Sequence, residues 1–299
     1  MPELPDLEVY RQALEARILG TRLEQIRLTS PFLLRSVQPS LKLAHGRRVV
    51  ALRRLGKRLV FELEEALFLV LHLMIAGRLR WRPLGTSPPK KSALAAFEFT
   101  PGTLILTEAG SKKRASLHLV AGREALAAHD PGGVEPLEVD FEKFRAVLGS
   151  ERHTLKRSLT DPHLFAGIGN AYSDEILHRA RLSPFKLSDS LSAGEGERLF
   201  DATRTTLEEW TVRLKAEVGD GFPEKVTAFR PEMAVHGRYD KPCPDCEAPV
   251  QRILYAETEA NYCPGCQTDG RILADRVLSR LLKKDWPRSL EELERRRDR

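Results

Sequence analysis

The chain has 299 residues, 41% of them apolar and 30% charged, a composition that excludes a disordered polymer and leaves room for two domains. A formal net charge of +6 permits a polyanionic partner without demanding one. The longest apolar run, "ALFLVLHLMIAG", is broken by His72, and no basic-then-apolar leader opens the chain, so a cytoplasmic protein without membrane contact is expected.

The opening "MPELPDLEVY" raises a chemical question. A small second residue permits removal of Met1, which would leave Pro2 with a free secondary amine and Glu3 beside it. Residues 5–19 then read as a helix. Pro5 suits its first turn, Asp6 and Glu8 suit the positive end of its dipole, and Leu7, Tyr10, Leu14 and Ile18 share one face. Such a helix packs on a core and holds the N-terminus in a fixed place.

From Arg22 to about Val120 the pattern is one of short strands: "EQIRLTS", "RRVVALRR", "KRLVFELE", "ALFLVLHL", "GRLRWRP", "LAAFEFTP" and "GTLILTE". Charged, Gly- or Pro-containing turns separate them, which points to a β-sandwich or barrel. Basic clusters, "HGRRVVALRRLGKR" and "EAGSKKRA", lie within this half. The turn-rich "HDPGGVEPLEVD" makes a linker, after which the periodicity is helical through "FEKFRAVLG", "HTLKRSLTD", "AYSDEILHRARL" and "GEGERLFDATRTTLEEWTVRL". The domain boundaries expected are 1–131 for the β-rich domain, 132–138 for the linker and 139–240 for the helical domain. A cysteine module at 241–267 and a charged, helical extension at 268–299 complete the chain.

Within "LFAGIGNAYSDEIL", Gly167, Gly169 and Asn170 precede a helical pattern. Glycines there let another group approach the backbone amides, and Asn170 is either an N-cap or an amide donor to a phosphate oxygen. A tight helical corner without a ligand fits the same residues. The four cysteines are less ambiguous. Cys243 and Cys246 form one Cys-x-x-Cys knuckle, Cys263 and Cys266 a second, sixteen residues on. Two such knuckles supply the four-sulfur tetrahedral site that zinc prefers, and one structural zinc ion is expected.

Four features thus stand in order: "PELPDLE", Lys57 in a β-turn, "GIGNAYSDEIL", and the four-Cys finger after "HGRYDKP". Together they resemble the formamidopyrimidine-DNA glycosylase / endonuclease VIII family of base-excision repair enzymes, over nearly all of residues 1–266, with the chain as a divergent member. The resemblance implies an α+β multidomain fold: an N-terminal helix on a two-layer β-sandwich, then a helix–two-turn–helix domain with a C-terminal four-Cys zinc finger. It implies a DNA glycosylase and abasic-site lyase, with double-stranded DNA containing damaged bases or abasic sites as partner; nothing in the sequence hints at oligomerisation, so a monomer is expected. Pro2 would be the nucleophile, Glu3 the acid/base carboxylate and Lys57 a lysine beside the damaged nucleotide. His72 and Asn170 match phosphate-contacting positions, and Met74 or Ile75 stands where the family places an apolar wedge.

Three departures accompany the match. Counting back from Cys263, Thr258 stands where the family's finger arginine would be, with Arg252 or Lys241 as compensating candidates. Lys113 and Arg114 occupy the place of an arginine–phenylalanine wedge, and 33 residues follow Cys266. Two other readings fit less of the chain: a non-catalytic binder of damaged or branched DNA, and a zinc-ribbon protein unrelated to repair. The first leaves the Pro2–Glu3 pair without a use, and the second makes it coincidence.

Overall fold

The first helix, α1 (Leu4–Ile18), starts one residue earlier than its apolar spacing predicts, because Asp6 Oδ2 accepts the Glu3 amide N–H at 3.0 Å and fixes the first turn. Leu7, Tyr10, Leu14 and Ile18 are fully buried, as one helical face should be. Eight strands follow: β1 (Arg22–Leu28), β2 (Arg47–Leu55), β3 (Arg58–Leu63), β4 (Leu67–His72), β5 (Gly77–Arg82), β6 (Ala93–Phe99), β7 (Gly102–Glu108) and β8 (Ser116–Ala121). They pair antiparallel in the order β5-β7-β6-β1-β2-β3-β4-β8. Only two residue pairs, Arg22↔Arg48 and Leu23↔Arg47, join β1 to β2, and there the sheet divides into two four-stranded layers.

The layers face each other as an antiparallel sandwich over the core. Phe61 of β3 stacks 6.4 Å from both Phe97 and Phe99 of β6, joining the two. Each fully buried Phe contributes about 1.5–3 kcal/mol by leaving water. The strands β3 and β4 are apolar on both faces. Their second face (Val60, Phe68, Val70) lies under Val120 and Leu126, the latter from the short helix α2 (Arg123–Ala127).

The described residues are 1–110, 112–255, 258–274 and 287–297 of a computed structural model. They divide into two units: Met1–Gly133 with Glu208–Ala228, and Val134–Leu207 with the residues from Phe229 on. The returning segment completes the first core. Phe222 packs 5.7 Å from the Tyr10 ring, Val226 is buried among the strand residues, and Glu224 pairs with Arg82. Arg78 Nε donates to the Val226 carbonyl at 2.6 Å, and Arg17 donates to the carbonyls of Asp220 and Gly221.

The second unit holds α3 (Phe141–Leu148), α4 (Leu155–Thr160), α5 (Asn170–Arg179) and the first part of α6 (Ala193–Val218). The Asp140 side chain caps α3 by accepting from the Lys143 amide at 2.8 Å. Phe144 centres the packing, 4.8 Å from Phe165 and 5.4 Å from Phe200. A hairpin of β9 (Gln251–Tyr255) and β10 (Thr258–Tyr262) follows, then the one-turn helix α7 (Pro264–Gln267) and, near the end, α8 (Leu290–Arg297). The helix expected in "ILADRVLSRLLKKDW" lies mostly outside the described residues. Among the described residues no helix is long and apolar enough to cross a membrane.

Candidate active site and metal centre

At the start of α1, Pro2 and Glu3 are both buried, Glu3 to 3% exposure. The Met1 ammonium is held below its usual pKa of 8.0 chiefly by burial. Glu3 and Asp6 pull it up, and Arg78 and Lys57 push it down. These influences bring together what the sequence scatters: Glu3 and Asp6 from α1, Lys57 from the turn between β2 and β3, and Arg78 from β5. The residues Asp6 and Arg78 were not among the expected site residues, because an acid in a first helical turn and an arginine in a strand have common structural uses.

Cross-strand register places the next group. Leu55 pairs with Arg58, so Gly56 and Lys57 form a two-residue turn, and Arg58 pairs with His72. His72 Nδ1 accepts the Met74 amide N–H at 3.0 Å, which leaves Nε2 as the protonated nitrogen of a neutral ring. Burial, then Arg58 and Lys57, push the His72 pKa down to about 4. Beyond it the chain makes a tight turn in which the Gly77 amide donates to the Leu73 carbonyl at 2.9 Å. A Cβ on Gly77 would lie 2.2 Å from that oxygen, so only glycine fits. Met74 adopts the left-handed region with φ 52°, and Ile75 is 54% exposed.

Lys113 and Arg114 lie in the β7–β8 connection. The Glu108 carboxylate, 2% exposed, accepts from the backbone amides of Arg114 (3.0 Å) and Ala115 (3.2 Å). Lys113 Nζ folds back onto the Glu108 carbonyl, while the Arg114 side chain is exposed.

In the second unit Gly169, not Asn170, is the N-cap of α5. Asn170 is the first helical residue, and its Nδ2 donates to the Glu259 carbonyl of β10 at 2.7 Å. Lys156 Nζ donates to the Asn170 carbonyl at 2.6 Å and to Asp174 Oδ1 at 2.5 Å, and Asp174 Oδ2 meets His236 Nδ1 at 2.8 Å. Arg252, opposite Asn261 on the hairpin, stacks over Tyr239 at 4.3 Å and reaches Glu259 Oε2 at 3.8 Å. The side chain of Thr258 and residues 256–257 at the hairpin tip lie outside what the structure describes.

The four cysteines converge, unbridged. The Cys243 and Cys266 sulfurs are 3.9 Å apart, those of Cys246 and Cys263 3.3 Å. Four sulfurs at about 2.3 Å from one zinc ion would be about 3.8 Å apart, so the set fits a metal. A Cβ on Gly265 would come within 2.9 Å of Cys246 Sγ, so the knuckle is cut to receive that sulfur. Burial and the neighbouring thiols push the Cys266 pKa up to about 12, an opposition that a bound cation would reverse. A ring nitrogen of His178 of α5 lies within 4.8 Å of the Cys243, Cys263 and Cys266 sulfurs, with Nε2 3.3 Å from Cys243 Sγ. Its sequence context, an alternating helix face, gave no sign of this.

Fold and site together define a class: a helix–two-turn–helix protein with an N-terminal β-sandwich and a cysteine-knuckle hairpin. Models of the formamidopyrimidine-DNA glycosylase N-terminal domain and H2TH domain match residues 1–116 and 133–218. Formamidopyrimidine-DNA glycosylases of Heliobacterium modesticaldum and Thermus thermophilus are 34% and 35% identical to the chain over 280 and 286 residues. These matches span 89% and 90% of the chain and 100% of each relative. The Lactococcus lactis enzyme bound to DNA with an abasic site superposes with a TM-score of 0.78 at 27% identity, covering 89% of this chain and 99% of that one. Its complex with DNA containing an oxidised pyrimidine gives 0.77 at 28% identity, covering 89% and 100%. The chain belongs to the formamidopyrimidine-DNA glycosylase family.

Proposed function

We propose that the chain excises damaged bases from double-stranded DNA and then cleaves the strand, acting as a monomer through the amine of Pro2. The observation that carries this reading is the setting of the N-terminus. Burial already disfavours the charged form of the Met1 amine, and once Met1 is removed the same surroundings would keep the Pro2 amine neutral, its nucleophilic form. Lys57 and Arg78 act in the same direction.

The amine nitrogen bonds to C1′ as the bond from C1′ to the base breaks, and the proton that the amine loses is balanced by the one with which the base leaves. Glu3 supplies a proton to the ring oxygen as the sugar opens, giving an iminium. That cation acidifies C2′. Loss of its proton expels the 3′ phosphate, a second elimination releases the 5′ phosphate, and water frees the enzyme.

Around this chemistry, Lys57 neutralises a phosphate beside the damaged nucleotide. The neutral His72 donates from Nε2, and Asn170 and Arg252 hold further phosphates. Ile75, exposed on a turn that only glycine can close, is the wedge that fills the stack vacated by an extruded nucleotide. Lys113 and Arg114 add cations in the β7–β8 connection, where Lys113 Nζ meets the Glu108 carbonyl. The cysteines hold one zinc ion, whose role is to fix the hairpin.

The test is borohydride trapping on a duplex with one abasic site, using protein shown by intact mass to lack Met1. Wild type should form a covalent complex, Pro2→Gly should lose it, and Glu3→Gln should form it slowly. Tight DNA binding by wild type without trapping would overturn the catalytic reading in favour of a non-catalytic binder.

A further inference from the structure

We infer that His178 donates an Nε2–H hydrogen bond to the Cys243 thiolate, so that helix α5 is itself part of the metal centre. The inference rests on the reading that the four cysteines hold zinc.

Four thiolates around a divalent cation leave a net charge of −2, and each buried sulfur needs a donor in place of water. Cys263 accepts from the Cys266 amide at 3.4 Å, and Cys246 is approached by the Ala248 amide. Cys243 is 1% exposed and packed against Val235 and Val250, and its sulfur meets the His178 ring at 3.3 Å as well as the Cys266 sulfur at 3.9 Å. A metal-bound thiolate can only accept, so the proton in this contact belongs to Nε2.

The alternative of His178 as a ligand in place of Cys246 is less consistent with the geometry. The Cys246 sulfur lies 3.3 Å from that of Cys263, and Gly265 of the second knuckle leaves the space that it fills. A ring nitrogen of His178 also lies within 4.8 Å of the Cys243, Cys263 and Cys266 sulfurs, so what sets the two readings apart is the built place of Cys246 beside Cys263 and Gly265.

The bond has a structural consequence. Two contacts with the finger bracket the stretch of α5 from Asn170 to His178: Asn170 Nδ2 to the Glu259 carbonyl at one end, His178 to Cys243 at the other. Between them, Glu175 accepts the backbone amides of Ala234, Val235 and His236. The helix that presents Asn170 is thus anchored to the hairpin's backbone and to its metal ligands. His178 is a positioning residue: it acts on the sulfur and, through it, on the seat of the hairpin.

The first test needs no variant. In zinc-loaded wild type, long-range proton–nitrogen spectra should show His178 protonated at Nε2, and a bare Nε2 would overturn the bond. The second compares His178→Phe, which keeps the volume, with His178→Gln, which keeps a donor. Zinc transfer to a chelator should be on the order of 10-fold faster or more in His178→Phe and partly restored in His178→Gln. In the cobalt-substituted proteins the thiolate-to-metal absorption should move to lower energy in His178→Phe. Equal release rates and equal spectra would overturn the inference, as would a wild-type cobalt spectrum of three sulfurs and one nitrogen. Protein that binds no zinc at one per chain would instead overturn the metal reading itself.

Discussion

The Asn170 side-chain amide donates to the carbonyl of Glu259 at 2.7 Å, and the carboxylate of that same Glu259 stands 3.8 Å from Arg252 Nη1. One finger residue therefore engages both groups proposed to hold phosphates in the second unit. Arg252→Ala should weaken binding to an abasic-site duplex almost uniformly across sequences and lower the slope of log affinity against log salt by about 1. Glu259→Gln removes the competing carboxylate and should raise affinity. Fluorescence anisotropy over a salt series measures both, and an unchanged slope for Arg252→Ala would remove Arg252 from the phosphate contacts.

His72 predicts a pH dependence of stability. Its folded pKa is about 4, below the 6.5 of an unperturbed imidazole, so between these values the unfolded chain binds more protons. Stability from this group is complete above pH 6.5 and is lost as pH falls toward 4, by about 3 kcal/mol in all. In His72→Asn, the side-chain oxygen can still accept the Met74 amide. Urea unfolding of that variant should show a shallower decline over this window than wild type.

Gly77→Ala should disrupt the turn that carries Ile75, because the new Cβ meets the Leu73 carbonyl. Ile75→Ala keeps the turn and removes only the exposed side chain. Both should reduce the fluorescence rise of 2-aminopurine placed beside an abasic site, while only Gly77→Ala should lower the unfolding midpoint. Full fluorescence in Ile75→Ala would mean that the wedge is another residue.

Glu108→Ala should destabilise the protein by about 1–3 kcal/mol, since it strands the Arg114 and Ala115 amides that the buried carboxylate satisfies. Amide exchange of the β7–β8 connection should accelerate with it. Unchanged protection of Ala115 would show that the amide has found another acceptor.

How much of this was legible in the sequence depended on range. Helix α1 and seven of the eight strands could be read because apolar spacing and turn residues are local signals. β8 was not separately read, for it follows a charged loop and its alternation includes His118 on the outer face. The four cysteines marked a candidate metal site by spacing alone, and their sulfurs do converge. The partner of Asn170 could not be read, because Glu259 lies 89 residues away and is met through its backbone, which carries no residue code. Nor does any local pattern in "EVGDGFPEKVTAFRPEM" reveal that Val226 is buried in, and Phe222 packs against, the core of a sandwich built from strands more than a hundred positions earlier.

That returning segment dictates an order of synthesis. As the ribosome delivers the chain, all eight strands emerge before residue 122, yet the core they enclose lacks Phe222 and Val226 until about a hundred more residues have followed. During that interval Tyr10 and Trp81 lack the Phe222 ring that contacts both in the finished protein. The β-rich unit is begun first and finished only after the Val134–Leu207 part of the second unit has been made, so these two folding events overlap in time. A gene cut at residue 131 would encode every strand of the sandwich and still not the whole of its core.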